Sequence, residues 1–152
     1  MKPCIGFSWR GSAGHANDRN RSLALQDVLP LMDDSAMWFG IQKGMPDTYR
    51  LVLTRASDLR VFDDEVTDFE DTAALVAEMD LIITVDTSLA HLAGSMGREC
   101  WVMLPFNPDW RWLLDRQDRP WYASLRLFRQ KRMGDWSGVL AELRSALQLR
   151  FG

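Results

Sequence analysis

The sequence predicts an α/β protein on a doubly wound parallel sheet of about six strands, from three observations. Short, β-rich apolar runs alternate with stretches of helical period along the whole length. The 152 residues are 47% hydrophobic and 26% charged, enough for one core and hardly two, so residues 1–152 read as a single domain. No repeat and no low-complexity segment divides the chain.

The strand candidates are Cys4–Ser8, Trp38–Gln42, Arg60–Phe62, Leu81–Val85, Trp101–Leu104 and Leu125–Phe128. Between them Leu25, Val28, Leu29 and Met32 recur at i, i+3, i+4, i+7, as do Trp136, Val139, Leu140 and Leu143, so each set lines one face of a helix. Thr72, Leu75, Val76 and Met79 form a shorter stripe. Ser22 and Asp135 stand where N-caps belong, and Pro30 is expected to kink or end the first helix. Residues 44–59 hold a Leu-Val-Leu run that fits a short helix or an additional strand.

Charge and composition exclude several function classes. Eighteen basic against 21 acidic residues, net charge −3, argue against a general nucleic-acid binder. Residues 98–132 nevertheless carry eight basic and four acidic side chains, which leaves room for a local anion site. Cys4 and Cys100 lie in apolar runs and read as free buried thiols, not a disulfide framework. Apolar stretches fall far short of a membrane span and no signal-peptide pattern opens the chain, which points to a soluble, cytoplasmic protein. His15, His91, Cys4 and Cys100 lack zinc spacing and no Asp-x-Asp pair occurs, so no metal cofactor is expected.

Six doubly wound strands most often take the order 3-2-1-4-5-6, which makes strands 1 and 4 neighbours where the winding reverses. Ligands bind there. The loop after strand 1, Trp9 to Ser22, is polar, contains glycine and is far longer than such loops need. It offers Arg10, His15, Arg19 and Arg21, and the guanidinium groups of the three arginines suit phosphate oxygens. After strand 4, Asp86-Thr87-Ser88 ends a buried strand and starts a helix. Unpaired N–H groups at that terminus would hold a phosphate; with Ser88 as N-cap, His91 falls at N3 beside it. The alternative is that Thr87 and Ser88 only cap and His91 only packs. Gln42 and Lys43 follow strand 2 on the same edge, where a base and ribose would extend. Pro105 to Trp112, with Trp121-Tyr122, gathers aromatic and cationic residues that could stack on a sugar, dock a partner or pack on the fold.

Asp86-Thr87-Ser88-Leu89-Ala90-His91 resembles the Asp-Thr-x-x-x-His signature of the heptosyltransferase family of glycosyltransferases (glycosyltransferase family 9-like). Further segments are similar to the C-terminal region of bacterial tetratricopeptide-repeat proteins that carry such a domain. These are Ser8-Trp9-Arg10-Gly11, His15-x-Asn17-Asp18-Arg19-x-Arg21-Ser22, Gln42-Lys43-Gly44, Leu104-Pro105 through Pro108-Asp109-Trp110-Arg111-Trp112, Leu125 through Gln130, and Gly134-Asp135-Trp136.

The resemblance implies a Rossmann-like domain, the C-terminal half of a two-domain GT-B architecture, binding a nucleotide-diphosphate sugar. Asp86, Thr87 and His91 would sit at the diphosphate and sugar, with a basic residue of the strand-1 loop assisting. Inverting GT-B enzymes as a class work without metal, through cationic side chains and helix N-termini. Their acceptor site and general base come from an N-terminal domain that has no counterpart in this sequence. The chain is thus expected to be either the donor-binding part of a longer protein, alongside an acceptor domain or helical repeats, or a non-catalytic nucleotide-binding or protein-docking module. His15 and Asp18 are the candidates for a base within the chain.

Overall fold

The computed structural model describes residues 1–10, 22–41, 59–62, 68–106 and 124–152. Among them run β1 (Cys4–Ser8), α1 (Leu25–Val28) with a 3₁₀ turn (Leu29–Leu31), β2 (Met37–Ile41), β3 (Leu59–Phe62), α2 (Phe69–Ala77), β4 (Leu81–Val85), α3 (Ser88–Ser95), β5 (Cys100–Leu104), β6 (Leu125–Arg129) and α4 (Trp136–Phe151). The six strands form one sheet in the order β3-β2-β1-β4-β5-β6, all pairs parallel. This is the predicted α/β Rossmann-like fold.

Parallel strands linked by helices must be covered on both faces, and the central strands show it: every residue of β4 and β5 is buried. Alternate residues divide between two apolar layers. Ile5, Phe7, Trp38, Ile83, Val85, Trp101, Met103 and Phe128 pack under α1 and α4 through Leu25, Val28, Val139 and Leu143. Ile41, Ile82, Val102, Leu104, Leu125 and Leu127 pack under α2 and α3 through Val76, Leu89, Ala90 and Ala93. The predicted helical stripes therefore face the sheet.

One helix start differs from expectation. The first helix begins after Ala24, not at Ser22, because the Leu23 N–H donates to the Trp9 carbonyl (2.8 Å) and holds residues 22–24 against the end of β1. Pro30 lies inside the 3₁₀ turn, so the α-helix ends at Val28 as its ring requires. Asp135 is the N-cap of α4, but its carboxylate accepts from the Ser137 hydroxyl (2.5 Å) and makes no cap bond to the helix. Asp68, which the periodicity did not single out, caps α2 through the Asp71 N–H (2.9 Å). Of residues 44–59 only Leu59 is described, and it opens β3. Cys100 is buried and Cys4 half-buried, and neither is in a disulfide. No described helix is long and apolar enough to cross a membrane.

Candidate functional site

β1 and β4 are hydrogen-bonded neighbours with Ser8 opposite Thr84, so the segments leaving them emerge side by side at the carboxyl edge of the sheet. The chain from β1 leads to β2 on one flank and the chain from β4 to β5 on the other, which opens a crevice there. Arg10 stands on one lip and Asp86, Thr87, Ser88 and His91 on the other. Arg10, Asp86, Thr87 and His91 are half-buried and Ser88 is exposed. Arg10, Asp86 and His91 are each engaged by neighbouring groups of the fold.

The helix terminus at this crevice has a particular construction. Thr87, in extended backbone geometry (φ −138°, ψ 174°), is the N-cap of α3, so Ser88 occupies the first helical position. His91 therefore falls at N4, one position beyond the expected N3. The Thr87 side chain makes no cap bond. Its hydroxyl lies 3.1 Å from that of Thr84, whose own proton goes to the Val85 carbonyl (2.9 Å). Thr84 has spent its one proton, so Thr87 donates to it and leaves its oxygen lone pairs at the crevice. The Thr87 carbonyl accepts from the Ala90 N–H (3.1 Å), while the Ser88 and Leu89 amides have no partner among the described residues. Two open N–H groups at the positive end of an eight-residue helix form a ready anion site.

Thr84 was not among the residues singled out from the sequence. It is fully buried within Leu-Ile-Ile-Thr-Val, and a hydroxyl at the centre of such a run is the signal that could have found it. Trp9 was read as the start of the loop but is fully buried in the core, its ring 6.4 Å from that of Phe7. The buried run of β1 thus continues through Trp9. Gln130 is the second missed residue. It is 5% exposed, and its Oε1 accepts from the Phe106 N–H (3.0 Å) and the Gly134 N–H (3.1 Å), which joins the exits of β5 and β6 at the same sheet edge.

His15, Asn17, Asp18, Arg19, Arg21, Gln42, Lys43, Trp110, Trp112 and Trp121 lie outside the described residues. Gln42 follows Ile41, the last residue of β2, in the sequence. Among the described residues no group of three or more His, Cys, Asp or Glu side chains converges.

Comparison with known proteins bears on this same segment. Residues 66–100 match the family model described as Glycosyltransferase family 9 (heptosyltransferase), a stretch that contains β4, Asp86 to His91 and α3. Protein FlbA of Caulobacter vibrioides is 33% identical over 81 residues, which is 53% of this chain and 13% of FlbA. The solved structure of E. coli heptosyltransferase WaaC with ADP superposes over 98% of this chain and 43% of that one, with a TM-score of 0.66 and 14% identity. The fold is thus shared with a heptosyltransferase of more than twice the covered length, and the chain spans a minor part of both relatives.

Proposed function

We propose that the chain is the donor-binding domain of an inverting, metal-independent glycosyltransferase and that it takes a nucleotide-diphosphate sugar in the crevice between the ends of β1 and β4. The observation that carries this reading is the open amino terminus of α3, with Thr87 turned away from its cap and Arg10 on the facing lip. Two further findings support it. The family-model match covers this terminus, and the WaaC structure, which shares the fold, holds ADP.

In this reading the pyrophosphate rests on the Ser88 and Leu89 amides. Thr87 and His91 supply further polar contacts, Arg10 supplies positive charge from the other lip, and Arg19 and Arg21 are further phosphate-binding candidates. Asp86 orients the turn or a sugar hydroxyl, while Asn17, Gln42 and Lys43 serve the ribose and base. The departing nucleoside diphosphate gains charge as the glycosidic bond breaks, and fixed N–H dipoles stabilise it without a divalent ion. The acceptor hydroxyl and its base belong to a further part of a longer cytoplasmic protein, which carries an acceptor domain or helical repeats. One open half-site neither excludes water nor aligns an acceptor, so the chain alone binds a donor and does not transfer the sugar.

Calorimetry with ADP, UDP, GDP and CDP tests the assignment. Thr87→Ala and His91→Ala are each expected to weaken the best ligand by about 1–3 kcal/mol, the worth of a buried or charge-assisted hydrogen bond. Unchanged affinity in both variants would refute the site.

A further inference from the structure

The opposite end of the sheet carries a second feature. A cavity of about 500 Å³ lies between the amino ends of β5 and β6 and the last turns of α4, bordered by Glu99, Trp101, Ser124, Arg126, Leu149 and Arg150. The anion crevice lies at the carboxyl ends of β1 and β4, so the two sites are at opposite strand ends. Its volume is in the range of small-molecule sites.

The lining is chemically uneven. Arg150 donates to Glu99 (3.3 Å) and stands in the last turn of α4, where it also offsets the negative end of the helix dipole. Arg126 differs. Its guanidinium lies 5.5 Å from the Trp101 ring centre and 4.8 Å from that of Phe128, and it has no carboxylate partner among the described residues. The aromatic rings hold the guanidinium in place by cation–π attraction, and its N–H groups face no carboxylate among the described residues. The buried Ser124 hydroxyl also lacks a hydrogen-bond partner among the described residues. Leu149, beside them, is 90% exposed.

We infer that this cavity binds a small organic monocarboxylate with an apolar body. The Arg126 fork matches a carboxylate, a χ1 rotation brings the Ser124 hydroxyl to the same anion, and the body covers Leu149. One negative charge is the limit. The two lining arginines and Glu99 sum to a single positive charge, and the carbonyl end of α4 forms part of the wall, so a phosphate dianion is disfavoured.

The test uses 1-naphthylacetate and its neutral counterpart 2-(1-naphthyl)ethanol, followed by backbone amide shifts in the 152-residue chain. Naphthylacetate is expected to give saturable shifts at Glu99, Ser124, Leu125 and Arg150, and the alcohol to bind about tenfold more weakly for want of the charge-assisted pair. Arg126→Gln is expected to lose about the same factor, with Arg126→Lys between it and the parent chain. Exposed Arg132→Gln is expected to bind as the parent does. Absence of saturation up to about 10 mM, a regime weaker than roughly −3 kcal/mol, would overturn the proposal. So would equal binding of acid and alcohol, a measurement on the parent chain that no folding defect can affect.

Discussion

The Cys100 thiol enters β5 fully buried, and burial alone pushes it far above the ordinary thiol range. A thiolate is the reactive form, so Cys100 is inert in the native protein and becomes reactive only on unfolding. The same burial sets a pH dependence. The folded-state value is raised, so the stabilising contribution is full below the unfolded value, near 9.0, and is lost as pH rises above it. Between pH 9 and 10.5, stability of the parent chain is expected to fall more steeply than that of Cys100→Ala, by about 1.4 kcal/mol per pH unit for one proton. Urea melts across this range check it; parallel slopes would show that the thiol ionises in place. At the candidate site the residue-scale lesson is different. Thr84 and Thr87 each spend a hydroxyl proton inward, and that choice leaves the α3 amides open.

At the scale of elements, Gly6 of β1 lies under the ends of two isoleucine side chains, which must shift to admit a larger residue. A Cβ there would stand 2.7 Å from Ile82 Cδ1 and 2.8 Å from Ile41 Cδ1. Gly6→Val is expected to lower unfolding stability by about 1–3 kcal/mol through overpacking, read as a lower urea midpoint. The strands were legible because β-branched and aromatic runs in a parallel sheet are continuous: Cys4–Ser8 and Leu81–Val85 fall where the sequence places them. The other strands shift by a residue at one end or both, as with Met37–Ile41 for the expected Trp38–Gln42. The start of α1 was not legible, because a bond from Leu23 to the Trp9 carbonyl fixes it, and neither partner announces that contact. The switch point was legible through strand order alone. Which of Thr87 and Ser88 caps α3 was not, because Thr87 takes the N-cap position while its hydroxyl turns to Thr84.

On the scale of the whole molecule, the two proposed sites lie at opposite edges of the sheet. Its carboxyl edge presents open amides, Arg10 and His91, suited to a diphosphate, and its amino edge presents Arg126 on an aromatic bed, suited to a single carboxylate. The resemblance read from Asp86 to His91 agrees with the family-model match over residues 66–100 and with a fold shared with a heptosyltransferase. The most direct test of the central claim is to map nucleoside diphosphate on the amide spectrum of the chain with excess EDTA present. Saturable shifts centred on Arg10 and on Asp86 to His91 are expected, undiminished by the chelator, with Glu99, Ser124 and Arg150 unmoved. Saturable shifts confined to residues away from the β1 and β4 ends, or binding that needs added magnesium, would contradict it.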